Sequence, residues 1–168
     1  MKKLLWAGVV VLAGCASAGG DDNLVARVRF IDTQGHPAGE AWLFAENGNM
    51  RITAELPGLP DGDHGFHFHA VGTCTPPVFE SAGGHFNPTN RQHGRLNPNG
   101  PHLGDLPNVE RGRTRVSVIA AGVQIDGANG LLDENGAALV VHQSADDLRT
   151  DPSGNSGARI RCGVVERP

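Results

Sequence analysis

The sequence predicts an all-β domain: a Greek-key antiparallel β-sandwich or flattened barrel of about eight strands with two long functional loops. Three observations carry that expectation. Short segments in which apolar and polar residues alternate recur along the chain, as strands with one buried face require. Glycine at 24 and proline at 11 of 168 residues mark many turns. No stretch has the periodicity of an amphipathic helix, and a chain of this length suits one domain with its own core.

The strands follow in order. "LVARVRFID" (24–32) alternates as a half-buried strand should, and "QGHPAGE" (34–40) reads as a turn. "AWLFAENGNMRITAEL" (41–56) is a hairpin about Asn47-Gly48, a dipeptide that tolerates the positive φ of a two-residue turn. "GFHFHA" (65–70) follows. Strand patterns return at "RTRVSVIA" (113–120), "GVQID" (122–126), "AALVVHQ" (137–143) and "ARIRCGVVE" (158–166). Between residues 71 and 111 the periodicity vanishes into glycine, proline, asparagine and histidine. A stretch that long needs something other than a core to order it, such as a bound metal. A second glycine- and aspartate-rich loop lies between the last two strands.

The N-terminus reads as an export signal, not as part of the fold. Lys2 and Lys3 precede a ten-residue apolar run, Leu4 to Ala13, which is too short to span a bilayer. Leu12-Ala13-Gly14-Cys15 resembles a bacterial lipobox. That implies a signal peptide over 1–14, lipidation of Cys15, a membrane anchor at the cell envelope or periplasm, a tether over 15–23 and a folded domain over 24–168. The tether's reach is about 15 Å. Without residues 1–14, 12 basic face 18 acidic side chains, a formal charge of −6 that disfavours nucleic acid as a partner. With Cys15 assigned to lipid, Cys74 and Cys162 remain as a disulfide pair in a compartment that permits one. Their 88-residue separation would contribute about 4–5 kcal/mol by chain-entropy reasoning.

Histidine is where the chemistry concentrates. The eight lie at 36, 64, 67, 69, 85, 93, 102 and 142. His67 and His69, two apart on a strand, point from one face. Phe66, Phe68 and His64 point from the other. His85, His93 and His102 fall in the unpatterned loop with Asp105 close behind, and His142 ends a strand. Imidazole nitrogens suit copper and zinc, and three histidines with an aspartate would complete a tetrahedral zinc set.

Five segments give this pattern a family. "HGFHFHAVGTC" (64–74), "GGHFNP" (83–88), "HLGDLPN" (102–108), "LVVHQSADDL" (139–148) and "GARIRCGV" (157–164) resemble the motifs of copper/zinc superoxide dismutases of the bacterial exported type, in order and near spacing. The resemblance spans about residues 24–166. It implies an enzyme that disproportionates superoxide to dioxygen and hydrogen peroxide through a copper redox cycle. Copper would be held by His67, His69, His85 and His142, and zinc by His85, His93, His102 and Asp105, with His85 bridging. It further implies Asp146 as hydrogen-bond partner to histidines of both sites and Arg159 beside copper as the anion's partner, with His64 bracing its strand. Asp147 and His36 read as solvated side chains. The competing function is an exported copper/zinc buffer or delivery protein on the same fold. Oligomeric state stays open, a homodimer included. The net negative charge leaves the attraction of an anionic substrate to a local field, for which the segment from Asp147 to Ala158 offers only Arg149.

Overall fold

The computed structural model describes residues 23–127 and 129–168; the predicted leader, Cys15 and nearly all of the tether lie outside the described residues. Seven strands form one antiparallel sheet. They are β1 (Leu24–Asp32), β2 (Pro37–Glu46), β3 (Asn49–Glu55), β4 (Phe66–His69), β5 (Arg115–Ala120), β6 (Ala138–His142) and β7 (Arg159–Glu166). Their spatial order is β4-β6-β7-β1-β2-β3-β5. Consecutive strands β1, β2 and β3 are neighbours, whereas β4 crosses to the far edge beside β6 and β5 returns to β3. That is the Greek-key crossing the sequence predicts.

The alternation fixes which face is buried. Ala26, Val28 and Phe30 of β1, Ala41 and Leu43 of β2, Met50, Ile52 and Ala54 of β3, and Phe66 and Phe68 of β4 share one core. Asn47 and Gly48 turn the β2–β3 hairpin at φ 50° and 78°, and Glu46 pairs with Asn49 across it. The expected turn over 34–40 is shorter than predicted, because strand pairing with β1 already begins at Pro37.

The expected strand at 122–126 does not form. The carbonyl oxygens of Gln124 and Ile125 accept the N–H groups of Leu131 and Leu132 at 3.0 and 2.9 Å, a local loop pairing in place of a strand ladder. Val123 and Leu131 are buried in the core, so the alternation reports a loop that tucks apolar residues inward. The segment from 71 to 111 carries one short 3-10 turn, Glu80–Ala82, and no strand, as its composition predicts.

Strand β6 shows how the site is set apart from the core. Leu139 and Val141 belong to the main core. Ala138 and Val140 face the opposite side, packing with Phe79, Ala82 and Cys162. His142 follows in that outer register, as His67 and His69 do on β4. The histidines therefore lie outside the barrel, beneath the two long loops.

A candidate bimetal centre

The free edge of β4 is where the loops are stitched down. His69 pairs with His85 and His67 with Asp105 as isolated bridges. Backbone bonds from Phe86 N–H to Phe68 O (2.8 Å), Phe68 N–H to Gly104 O (2.9 Å) and Leu106 N–H to Phe66 O (3.2 Å) complete the seam. Short main-chain pairing thus brings loop residues 85 and 105 beside strand residues 67 and 69. Cys74 and Cys162 form a disulfide with Cα atoms 5.6 Å apart, tying the loop's start to β7.

Two four-residue sets result, His67/His69/His85/His142 and His85/His93/His102/Asp105, and they share His85. These are the residues that the resemblance nominates. Almost all are buried: His67 and His93 are 0% exposed and His85 is 8% exposed.

Four of the rings, His67, His69, His93 and His142, use one nitrogen on a protein partner outside the two sets and leave the other for the cluster. His67 Nε2 and His93 Nε2 donate to the two oxygens of Asp146, at 2.8 and 2.9 Å. His69 Nδ1 donates to Gly83 O at 2.9 Å, and His142 Nδ1 to Gly157 O at 3.2 Å. Such partners fix tautomer and ring orientation. With those protons assigned, Nε2 of His69 and Nε2 of His142 both present lone pairs, and they face each other at 3.4 Å. Among the described residues, His67 Nδ1, His85 Nε2 and His93 Nδ1 are buried with no partner in hydrogen-bonding geometry. Buried polar atoms left unmatched are rare and costly, and convergent lone pairs repel unless a cation lies among them.

The second set is more compact. Asp105 Oδ1 lies 3.0, 3.1 and 3.2 Å from the Nδ1 atoms of His85, His93 and His102. A tetrahedron with zinc–ligand bonds of about 2.0 Å has edges of about 3.3 Å, so this cage fits zinc. The other oxygen, Oδ2, accepts the N–H groups of Gly94 (2.8 Å) and His102 (3.0 Å) and locks the carboxylate's rotation.

Electrostatics agree with cation binding. Burial, reinforced by neighbouring imidazoles, lowers His142 to about 3 and His85 to about 4. Both rings are therefore neutral near pH 7 with lone pairs to offer. Burial would raise Asp105, but hydrogen bonds from His102 and His85, with the His93 ring close by, hold it far below the carboxylate range. His93 runs the other way: burial lowers it, yet Asp105 and Asp146 together raise it to about 9. Without an ion, this set holds a proton where it could hold a metal.

Comparison with known proteins decides the family. The family model described as "Copper/zinc superoxide dismutase (SODC)" matches residues 38–165. The chain belongs to the copper/zinc superoxide dismutase family. It is accordingly an oxidoreductase that disproportionates superoxide, with copper and zinc as cofactors. It is 43% identical to "Superoxide dismutase [Cu-Zn] 2" of Aquifex aeolicus, over 98% of this chain and 99% of that one. A crystal structure of a "SOD-like protein" from Bacillus subtilis superposes with TM-score 0.75 at 40% identity, covering 82% of this chain and 96% of the other. The Cu/Zn superoxide dismutase from Brucella abortus gives TM-score 0.68 at 28% identity, over 83% and 98%.

Arg159 and His64, also singled out in the sequence, lie around these two sets. Arg159 lines the cleft over His69, His85 and His142. Its Nη1 and Nη2 donate to Phe79 O (2.6 Å) and Gly83 O (2.7 Å). His64 sets its two ring nitrogens against His142 O (2.9 Å) and Pro60 O (3.0 Å), bracing β6 against a turn. His36 is exposed, as expected.

Asp147 is more than a solvated acid. Its Oδ1 accepts the N–H groups of Arg149 (2.9 Å) and Thr150 (2.8 Å), and its Oδ2 accepts Asn155 Nδ2 (2.9 Å). Those hydrogen bonds, Thr150's first, lower it to about 2. An aspartate two or three residues before free N–H groups in a glycine-rich loop is the signal that predicts such a cap. Sequence reading also passes over Asp151, whose Oδ1 accepts the His93 N–H at 2.6 Å, and Asn108, which exchanges two 2.9 Å hydrogen bonds with the backbone of Asp146. Nothing local in the sequence marks those two.

Proposed function

We propose that His67, His69, His85 and His142 hold copper, that His85, His93, His102 and Asp105 hold zinc, and that His85 is shared between the ions. The observation that carries this reading is the meeting of two complete ligand sets at one buried ring. When bound, copper supplies one-electron redox chemistry and zinc a fixed positive charge on the shared ring. Two superoxide anions and two protons give one dioxygen and one hydrogen peroxide. The protein's own groups must therefore bind an anion, orient it and handle protons.

Arg159 is the anion's partner. Two of its donors are tied to loop carbonyls, so its planar cation is held at the cleft instead of swinging in solvent. His85 handles the proton. Its Nε2 is buried and otherwise unpartnered, the atom at which a proton can be held and then released toward peroxide. Asp146 keeps His67 and His93 turned toward their ions, coupling the two halves through a single carboxylate. The carbonyls of Gly83 and Gly157 do the same for His69 and His142.

We further infer that the protein works outside the cytoplasm, an inference supported by its disulfide. The lipobox at Leu12–Cys15 makes it a lipid-anchored envelope protein. Mass spectrometry of the chain recovered from a bacterial membrane fraction tests this: a diacylated Cys15 is expected, and an unmodified chain beginning elsewhere overturns the anchor.

The function is tested by loading purified protein and measuring metal content together with superoxide consumption. One copper and one zinc per chain with copper-dependent turnover are expected. Stoichiometric binding without turnover would instead make the protein a metal buffer.

A further inference from the structure

The sequence leaves an anionic substrate facing a net negative protein, and the segment from Asp147 to Ala158 does little to help. Its charged residues other than the cap Asp147 are Arg149 and Asp151, and Asp151 stands at the rim of the cleft over the copper-side histidines. Attraction has to come from the opposite wall.

That wall has the right composition. Residues 81–104 contain two arginines, Arg91 and Arg95, and no carboxylate. Arg91 is exposed and lines the 510 Å³ cleft that also holds His69, His85, His142 and Arg159. Its backbone is fixed there by one side chain. Asn87 Oδ1 accepts the Arg91 N–H at 2.9 Å, and Asn87 Nδ2 donates to Arg91 O at 2.8 Å.

The guanidinium itself is uncommitted. Of the twelve arginines from Arg27 onward, Arg29, Arg51, Arg111, Arg113, Arg115 and Arg167 lie in ion pairs with carboxylates. Arg161 is turned inward onto Ala38 O and Pro57 O. Arg91 has no ion pair among the described residues, although Asp151 shares its cleft. Arg91 and Arg159 are the cations that line this cleft. The chain carries no lysine after Lys3 that could substitute for them.

We infer that Arg91 is a guidance residue for superoxide, so that the anion is drawn in along the wall of residues 81–104, handed to Arg159 and kept from the Asp151 wall. The inference rests on the dismutase reading of the site and adds the residue that sets its association rate. Low-dielectric clefts lined by one sign of charge raise on-rates by about 10- to 1,000-fold. Shared equally on a logarithmic scale between two cations, the part due to Arg91 is about 3- to 30-fold.

The test is kcat/KM for superoxide of the metal-loaded protein, followed by pulse radiolysis across ionic strength, for wild type, Arg91→Ser and Arg91→Lys. Arg29→Ser serves as a control that removes the same charge from β1, away from the cleft. For Arg91→Ser we expect a loss of about 3- to 30-fold at low salt with a shallower salt dependence, and convergence with wild type near 1 M, where screening acts within about 3 Å. Arg91→Lys should recover most of the loss, Arg29→Ser should match wild type, and copper and zinc contents should be unchanged throughout. Equal rates in wild type and Arg91→Ser overturn the inference. So does a loss independent of salt, a loss shared by Arg29→Ser, or a variant depleted of metal. Loaded wild type without turnover refutes the dismutase reading itself and this inference with it, whereas salt-insensitive turnover refutes the guidance role alone.

Discussion

Replacing Gly154 by alanine puts a methyl group where Asp146 already is. A Cβ built at this position would lie 1.8 Å from Asp146 Oδ1 and 2.6 Å from both Asp146 Cγ and His93 Nε2. Carbon contacts settle near 3.5 Å, so the carboxylate has to retreat by about 1.7 Å. That breaks its bonds from His93 Nε2 (2.9 Å) and Leu148 N–H (2.6 Å) and frees the His93 ring to turn. Losing such a partner costs about 10- to 100-fold in metal affinity. The backbone adds a cost of its own, since φ is +64° and a left-handed alanine is disfavoured by about 1–2 kcal/mol. Gly157→Ala separates the two effects, because φ is +76° there but the nearest atom, Ser144 Oγ, is 3.4 Å away. Chelator competition for zinc is the assay. Gly154→Ala should lose zinc at least tenfold more readily than wild type, while Gly157→Ala should keep its zinc and lose only thermal stability. Equal zinc affinity in the two variants would refute the proposal that Asp146 holds the zinc ligand in place.

Arg159→Glu should lower kcat/KM by about tenfold or more with both metals retained, because it replaces an anion-binding cation by a like charge at the copper side; an unchanged rate removes Arg159 from the mechanism. Metal loading near pH 7.5 should release about two protons per chain, one from His93, whose pKa is raised to about 9, and one from His85 as it becomes the shared ligand. The His93 share is full below pH 9 and vanishes as pH rises through that value, so calorimetry in buffers of different ionisation enthalpy should show the count fall toward one; a count of zero contradicts the shared ring. The apo protein should also weaken as pH falls below about 6.5. Burial lowers the pKa of His67, His69, His85 and His142, so the unfolded chain binds their protons first, each adding up to about 1.4 kcal/mol per pH unit. An apo melting temperature flat between pH 6.5 and 4.5 would contradict that burial. Serine at Cys74 or Cys162 should cost about 2–5 kcal/mol of stability, and it should lower turnover too, since Phe79 O and Gly83 O, which hold Arg159, lie in the loop that the disulfide anchors.

Much of this was legible because strands advertise themselves. The alternation at 24–32 marks β1 to the residue, Asn47-Gly48 marks a hairpin turn, and the His-x-His of β4 needs only the two-residue period to put both rings on one face. Alternation misled at 122–126, where Val123 packs into the core from a loop and, among the described residues, no strand pairs with the segment. The proposed ligand set was readable through family motifs; spacing alone could not bring residue 142 to residue 67, because that contact depends on β4 crossing the molecule to pair with β6. Least visible were the residues whose work is defined by what folds against them. Gly154 matters because Asp146 fills its side-chain space, Asp151 because a histidine 58 positions earlier needs an acceptor for its N–H, and Arg91 because folding brings it to the same cleft as Arg159 without pairing it to a carboxylate among the described residues.

The shared ring at His85 is tested most directly by anomalous diffraction at the copper and zinc edges from crystals of the loaded protein. A copper peak should touch Nδ1 of His67 and Nε2 of His69, His85 and His142, and a separate zinc peak should touch Nδ1 of His85, His93 and His102 and Oδ1 of Asp105. A single peak, or two peaks of which only one reaches His85, would contradict the account.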